Sequence, residues 1–384
     1  MGMMEQILRL MAQRHASDVF LSANTPAMIK IKGEVVPVNA QPLPPDAPRA
    51  LLAEILPPQR IEELEQTGEL NIAHSMPGVG RFRISGMRQR GSYAAVIRCI
   101  NVEIPPLESL GVPPILGSLI MQRRGLILMV GATGAGKSTT LAALIDYRNA
   151  RMPGHILTLE DPIEYLFKNK KSLINQREVG SDTASLQIGL KNALRQAPDV
   201  IMIGEIRDRD TMSSAIAYAQ SGHLCLATMH ANNSYQALNR ILSFYPVEVR
   251  PALLGDLAAA LRAVVSQRLL RTVDHNVVPA VEVLLNTKLV AELIEQGNFS
   301  GVKEAVEKSL AEGSQTFEDD IARLIGAGTV TRDEGLSHAD SPTNLMWKLE
   351  NNFRAPSATP APTPQPAAGA DGAVFTDITL DVNY

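Results

Sequence analysis

The chain has 384 residues, of which 45% are apolar and 20% charged; at roughly 150 residues per domain, this length predicts two or three domains. The balance of 36 basic and 40 acidic residues argues against a general nucleic-acid-binding protein, which carries a basic excess. Two cysteines exclude a tetracysteine zinc site.

Residues 1–103 are predicted to form an N-terminal α+β domain. Apolar residues at helical spacing indicate a helix over residues 4–15, and the charged residues among them distinguish it from a secretory signal peptide. A hairpin over residues 28–36, two helices between residues 49 and 66, and three strands between residues 70 and 100 follow. In the second of these strands Arg81 and Arg83 alternate with Phe82 and Ile84, which places both arginines on one face.

Residues 104–117 contain four prolines and predict a linker. In the second domain, residues 118–350, continuous apolar strands at residues 125–130, 155–159, 200–203 and 224–229 are separated by helical segments. This pattern is typical of a mostly parallel α/β sheet covered on both faces. From residue 246 to about 324 the pattern is mainly helical, with one strand pair at residues 267–272 and 277–285. The Pro- and Ala-rich residues 351–384 predict a disordered tail.

The strongest motif is GATGAGKS over residues 131–138, which matches the P-loop pattern G-x-x-x-x-G-K-[ST] between a strand and a helix. Backbone N–H groups of such a loop, and the N-terminus of the following helix, bind phosphate oxygens. Lys137 is predicted to reach the β- and γ-phosphates of ATP, and Ser138 to bind Mg²⁺. The predicted nucleotide-binding residues are Gly131, Ala132, Thr133, Gly134, Ala135, Gly136, Lys137, Ser138 and Thr139.

Two acidic segments follow apolar strands. In PDVIMIGE, Glu205 ends a strand of the Walker B type, with Gly204 where many P-loop enzymes have an aspartate. Glu205 is predicted to position Mg²⁺ through water or to polarise the attacking water. In TLEDPIE, Glu160 and Glu164 lie at the carboxyl end of a strand, where open α/β sheets bind ligands. Either one fits a general base, their spacing does not choose between them, and Glu160 is also a candidate metal ligand.

Two histidines, His223 and His230, bracket the predicted strand at residues 224–229. Because this strand belongs to the nucleotide-binding sheet, both histidines are candidates for sensing the γ-phosphate. Their spacing does not fit the HExxH zinc motif, in which the two histidines are four residues apart on a helix.

Together these segments resemble the secretion ATPase superfamily, the motors of type II and type IV secretion and of type IV pili. Its four boxes appear in order as GATGAGKS, TLEDPIE, PDVIMIGEIRD and GHLCLATMHANNS. The segment ASDVFLSANTPAMIKIKGEV resembles the start of the family's PAS-like domain. The resemblance covers about residues 4–345 and implies a PAS-like N-terminal domain, a RecA-like ATPase domain, and ATP with Mg²⁺. In this family a glycine at the Walker B position is normal, and the catalytic base matches Glu164.

The resemblance also implies catalytic roles for four arginines. Arg83 and Arg98 match those of the family's N-terminal domain, and Arg195 and Arg207 match those near Walker B. Guanidinium groups stabilise charge on a transferring phosphoryl group, often across a subunit boundary. Because the first two arginines and the P-loop lie in different predicted domains, we expect six copies to form a ring whose sites are completed between neighbours.

Within the superfamily, two cysteines exclude the tetracysteine zinc module of the assembly motors, which leaves the retraction branch of PilT and PilU proteins. Where PilT proteins have AIRNLIRE, the chain has KLVAELIE at residues 288–295. This departure and the Pro-rich tail resemble the PilU group. The resemblance implies ATP-driven pilus retraction and twitching motility alongside a PilT-type retraction ATPase, through an inner-membrane platform protein. The chain is then expected in the cytoplasm, peripheral at the inner membrane through its partners, with no nucleic acid bound.

Three alternatives stay open on the sequence. A secretion-system traffic ATPase would share every box. A small-molecule P-loop kinase would need a lid and an acceptor pocket. A slow-turnover, nucleotide-binding partner of a PilT ring would keep the same boxes, although the presence of Lys137, Glu164, Glu205 and His230 favours hydrolysis.

Overall fold

The computed structural model describes residues 2–31, 33–100, 103–308 and 311–351. The tail predicted from residue 351 onward lies outside the described residues, except for its first residue. Within the described ranges, no helix is both long enough and apolar enough to cross a membrane.

The N-terminal part of the chain forms a six-stranded antiparallel sheet with helices on one face. Its elements are α1 (Met3–Gln13), β1 (Asp18–Ser22), β2 (Met28–Ile31), β3 (Glu34–Pro37), α2 (Ala47–Ala53), α3 (Pro58–Thr67), β4 (Glu69–Met76), β5 (Gly80–Gln89) and β6 (Ser92–Ile100). The strand order is β3-β2-β1-β6-β5-β4. Helix α1 buries Met4 and Leu8 in the same core as Phe82 and Ile84, whereas Arg83 is exposed on the opposite face. The predicted alternation along β5 is therefore confirmed.

The second sheet has seven strands. Its elements are α4 (Ile115–Ile120), β7 (Gly125–Val130), α5 (Lys137–Arg151), β8 (Gly154–Glu160), β9 (Ser172–Glu178), α6 (Leu186–Ala193), β10 (Val200–Ile203), α7 (Arg209–Gln220), β11 (Leu224–Met229), α8 (Ser234–Ser243), α9 (Arg250–Ala260), β12 (Leu261–Arg271) and β13 (Val277–Leu285). The strand order is β13-β12-β7-β11-β10-β8-β9, and every neighbouring pair is parallel except β12 with β13.

Helices cover this sheet on both faces, as the continuous apolar strands predict. Every residue of β7, β10 and β11 is buried. Alternate residues of β7 enter different cores: Leu126 packs with α7 and α9, and Ile127 packs with α4 and α5. Two features differ from the sequence prediction. Strand β9 was not predicted, and the helical prediction is wrong over residues 261–266, where β12 already runs parallel to β7.

Within the residues that the structure describes, five α-helices follow β13. They are α10 (Lys288–Glu295), α11 (Phe299–Glu307), α12 (Phe317–Gly326), α13 (Arg332–His338) and α14 (Pro342–Glu350). Helix α12 begins with a capping box in which Thr316 and Asp319 bond each other's backbone N–H groups. Its apolar face buries Phe317 and Ile321 in a small core shared with β12 and β13.

Candidate functional site

The P-loop connects the end of β7 to the start of α5, so its backbone N–H groups face the carboxyl edge of the sheet. Gly131 has φ +157°, and a Cβ atom there would come 2.5 Å from the carbonyl oxygen of Gln267 on β12. Only glycine allows this close approach of two backbones. Lys137 is buried, and its Nζ donates to the carbonyl oxygens of Gly131 at 2.8 Å and Ala132 at 2.9 Å. The loop therefore holds its own lysine folded back over the place where phosphates bind.

A cleft of about 680 Å³ opens above the P-loop. This volume lies within the range of small-molecule sites, and its lining is rich in charged groups. The cleft brings together most of the residues predicted from the four boxes and one arginine of the N-terminal sheet. They are Thr133, Gly134, Lys137, Ser138, Glu160, Glu164, Glu205, Arg207, His230 and Arg83.

Glu205 lies just after β10 and is held from two sides. Arg207 donates to it from Nη2 at 2.6 Å and from Nε at 2.8 Å, and His230, just after β11, has its Nε2 3.1 Å away. The pairing with Glu205 raises the pKa of Arg207. Burial lowers the pKa of Lys137, and the negative charges of Glu205 and Glu164 oppose that shift. Both carboxylates thus act electrostatically on the P-loop lysine.

Glu160 lines the bottom of the cleft but is buried and already bonded. Its Oε1 accepts hydrogen bonds from Thr158 Oγ1 at 2.6 Å and Gln176 Nε2 at 3.1 Å. Burial raises the pKa of this carboxyl, and the hydrogen bonds from Thr158 and Gln176 oppose the shift. Glu160 is therefore held in place by neighbours on β8 and β9. Its role as a metal ligand stays a prediction.

Two oxygen donors of the cleft, Ser138 and Glu205, fit a Mg²⁺ ion beside Lys137. Ser138 supplies a hydroxyl and Glu205 a carboxylate, the hard oxygen ligands that this ion prefers. Within the described ranges, no group of three or more His, Cys, Asp or Glu side chains could hold a metal ion. Mg²⁺ sites of this kind rely on one or two carboxylates together with substrate phosphates, so the donor set suits an ion that arrives with a nucleotide.

Three of the predicted catalytic residues lie outside this cleft. Arg98 on β6 pairs directly across from Arg83 and shares its face, but its Nε donates to Asp18 at 2.8 Å. Arg195 lies in a short 3₁₀ helix (Leu194–Gln196) before β10, and His223 precedes β11. Both precede a parallel strand and so lie toward the amino edge of the sheet, opposite the edge that carries the P-loop. The roles of these three residues stay predictions.

Arg83 reaches the cleft of its own chain. The sheet face that carries Arg81, Arg83 and Arg98 is turned toward the P-loop sheet, because α1 to α3 cover the other face. An arginine from the N-terminal part can therefore meet the nucleotide site without a neighbouring copy.

Sequence reasoning did not single out two contacts beside the cleft. The hydroxyl of Tyr165 lies 2.7 Å from Oγ1 of the P-loop residue Thr139. Glu178, at the end of β9, bonds Arg81 of the N-terminal sheet at 2.6 Å. An acidic residue at a strand end was the signal that found Glu205, and it would have found Glu178 had β9 been predicted.

A parallel sheet with a P-loop after one strand, and acidic residues at the ends of its neighbours, defines a P-loop nucleoside triphosphatase. The family model for type II/IV secretion system proteins matches residues 4–316, and the chain belongs to this family. The predicted fold class is confirmed by a solved structure of the pilus retraction motor PilT with bound ADP. That structure is similar with a TM-score of 0.85 and 35% identity, over 90% of this chain and 99% of the other.

Two curated relatives from Pseudomonas aeruginosa are similar over nearly their whole length. The type IV pilus ATPase PilU is 46% identical over 90% of this chain and 91% of its own. The type IV pilus retraction ATPase PilT is 34% identical over 88% of this chain and 99% of its own. The resemblance to the retraction branch of the family is therefore confirmed. Of these two relatives, PilU has the higher sequence identity to this chain.

Proposed function

We propose that this chain is an ATPase that powers type IV pilus retraction as an accessory to a PilT-type motor. The observation that carries the ATPase activity is the single cleft that holds Lys137, Glu164, Glu205 and His230 over a P-loop, with Arg83 across from them. The pilus assignment rests on 46% identity to PilU across about nine tenths of both chains.

The cleft suits ATP with its phosphates in the P-loop. Lys137 exchanges its two backbone acceptors, Gly131 and Ala132, for the β- and γ-phosphates. Ser138 and Glu205 would hold Mg²⁺, which neutralises charge on the phosphates when it is bound. Arg83 and Arg207 stabilise the charge on the γ-phosphoryl group as the bond to ADP breaks.

Glu164 is the general base that takes a proton from the attacking water. Glu160 cannot easily fill this role because it is buried and its Oε1 accepts two side-chain hydrogen bonds. His230 reports the state of the γ-phosphate, since its Nε2 can pair with Glu205 at 3.1 Å or turn to a phosphate oxygen. In this way the loop after β11 responds to hydrolysis.

The motor function rests on two further proposals about architecture. Residues 1–103 and 118–350, joined by residues 104–117, are the two bodies that hydrolysis shifts against each other. Six copies form a ring, in which head-to-tail contacts place one edge of a copy against the opposite edge of the next. Such contacts bring Arg195 and His223, at the amino edge, toward a neighbour's cleft. The ring acts in the cytoplasm on an inner-membrane platform protein and touches the membrane only through partners.

Glu164→Gln tests the enzymatic part of the proposal. Loss of the base lowers kcat by about 10²–10⁴-fold while nucleotide binding persists, whereas Lys137→Ala abolishes binding. Phosphate release and binding of a fluorescent ADP analogue measure the two effects. Glu62→Gln on the exposed face of α3 is the matched control. Normal turnover in Glu164→Gln would contradict the assignment of the base.

Pilus counts test the cellular part. Deletion of the gene, with the PilT-type motor intact, leaves the number of surface pili per cell unchanged or raised and impairs twitching. Restoring the wild-type gene repairs twitching, but the Glu164→Gln gene does not. A cell without pili would show that the chain is needed for assembly, which overturns the retraction assignment and leaves the ATPase activity standing.

A further inference from the structure

Glu178 connects the N-terminal sheet to the loop that carries Glu164. Its Oε2 accepts a hydrogen bond from Arg81 Nη2 at 2.6 Å and another from the backbone N–H of Ile163 at 3.1 Å. The pair is withdrawn from water, with the side chain of Glu178 5% exposed and that of Arg81 16% exposed. One carboxylate oxygen therefore holds two segments that come from different sheets.

Both segments lie directly beside residues of the proposed catalytic machinery. Arg81 and Arg83 are alternate residues of β5, so they lie on one face about 6.6 Å apart. Fixing Arg81 therefore fixes where Arg83 enters the cleft. The Ile163 N–H belongs to the planar peptide unit between Pro162 and Ile163, so its hydrogen bond to Glu178 fixes the backbone one residue before Glu164.

The surroundings of Glu178 make it a fixed anchor. Its backbone N–H donates to Asp182 Oδ2 at 2.8 Å, and its carbonyl oxygen accepts from the N–H groups of Asp182 at 2.8 Å and Thr183 at 3.2 Å. The Ser181 hydroxyl donates to its second carboxylate oxygen at 3.3 Å. A tight turn therefore holds the end of β9 from both the backbone and the side chain.

Stability alone does not explain this ion pair. Burying two charges costs desolvation free energy that their attraction often only offsets. The Nε of Arg81 is buried and has no hydrogen-bond partner among the described residues, which adds to the cost. A site that served only to stabilise the packing would do as well with apolar side chains.

We propose that Glu178 is a positioning residue for ATP hydrolysis, which couples the packing of the N-terminal sheet to the placement of Glu164 and Arg83. This inference rests on the proposed ATPase function for its kinetic consequence, although its structural part does not. When Arg81 leaves Glu178, the N-terminal sheet carries Arg83 away from the cleft. The Glu178 carboxylate then loses its charged partner and can turn away from the Ile163 N–H. Hydrolysis is then confined to the state in which the two sheets are joined.

Arg81→Met and Glu178→Gln test the coupling. Methionine keeps the apolar length of the arginine, and glutamine keeps an oxygen acceptor for the Ile163 N–H while losing the charge that holds Arg81. Each variant lowers kcat by about tenfold, a coupling of ordinary size between two sites, with a much smaller change in the KM for ATP. The double variant is no slower than either single variant, because both remove one contact. Arg123→Met, at an exposed position, is the matched control.

Hydrogen exchange supplies a readout that does not need turnover. In Arg81→Met, amide exchange over residues 160–165 becomes faster, although Arg81 makes no hydrogen bond to that segment in the structure. Exchange there in Arg123→Met stays at the wild-type rate. Unchanged exchange in Arg81→Met, or additive kcat losses in the double variant, would overturn the inference. If the wild-type chain hydrolyses no ATP, the proposed function fails, and the exchange experiment still decides whether Glu178 couples the two sheets.

Discussion

Gly204 stands where many P-loop enzymes carry an aspartate, and the fold gives a steric reason for the glycine. Its N–H donates to the carbonyl oxygen of Leu159 on β8 at 2.8 Å. A Cβ atom at Gly204 would lie 3.1 Å from that oxygen and 3.3 Å from the Cα of Glu160. Both of these are backbone atoms, which cannot rotate away as a side chain can. An aspartate here would push β8, and with it the loop that leads to Glu164.

Gly204→Ala is therefore expected to lower both stability and turnover. Crowding of this kind costs about 1–3 kcal/mol, and the displaced backbone carries Glu205 with it. Thermal unfolding and phosphate release measure the two losses. Gly255→Ala on α9 is the matched control, because its Cβ would meet no atom within 4 Å and alanine suits a helix better than glycine. A wild-type melting temperature in Gly204→Ala would contradict the steric explanation.

Among the strands and loops, the sequence predicted those whose structure depends on residues close together in the chain. The strands β7, β10 and β11 are continuous apolar runs because both of their faces are buried. The P-loop was equally clear, since its glycines, Lys137 and Ser138 are neighbours in the sequence. The acidic strand ends and His230 were found because each directly follows such a run.

The features that the sequence did not predict also have a physical explanation. Strand β9 reads SLINQRE, and as the sheet's edge strand it has only two apolar residues, of which Leu173 is exposed. The sequence LAAALRAVV continues one apolar pattern through the end of α9 into β12, so tertiary pairing with β7 decides where helix gives way to strand. The contact of Arg81 with Glu178 joins residues 97 positions apart. No local pattern predicts it, because it depends on how the two sheets pack.

Arg268 on β12 connects the loop after β11, which carries His230, to the C-terminal helices. Its guanidinium donates to the carbonyl oxygen of Asn232 at 3.1 Å and to that of His338, and it pairs with Asp340. The same group lies 4.0 Å from the ring centroid of Phe317 on α12. Asn232 is two residues beyond His230, so the helices that follow β13 are linked to the loop beside the nucleotide site.

Arg268→Met is expected to loosen α13 and α14 before it affects the rest of the fold. The lost contacts lower the local opening free energy by about 1–2 kcal/mol. Hydrogen exchange over residues 332–350 becomes faster, while exchange in β7 and β11 stays at the wild-type rate. Arg332→Met is the matched control, because that arginine of α13 is exposed and its pair with Glu350 is long, at 3.8 Å. Equal exchange over residues 332–350 in both variants would contradict the linking role of Arg268.

In the molecule as a whole, two arginines from separate parts of the chain reach the cleft. Arg83 enters from the N-terminal sheet and Arg207 from the end of β10, both within one chain. Arg195 and His223 lie at the far edge of the same sheet and do not line the cleft of their own chain. In the ring proposed above, head-to-tail contacts would place this edge near the cleft of the next copy.

Mixing two inactive variants tests this placement. Glu164→Gln disables its own chain's cleft, and Arg195→Ala is expected to disable the cleft of a neighbour. In a one-to-one mixed ring, about a quarter of the sites combine an intact cleft with a neighbour's Arg195, so activity rises to roughly that fraction. Glu164→Gln mixed with Lys137→Ala is the control and recovers nothing, because both residues lie in one chain's cleft. If the Arg195→Ala mixture is no faster than the mean of its two components, Arg195 does not act on a neighbour. That result would leave His223 as the residue at this edge with a proposed role in a neighbour's cleft, and the same mixture with His223→Ala in place of Arg195→Ala would test it.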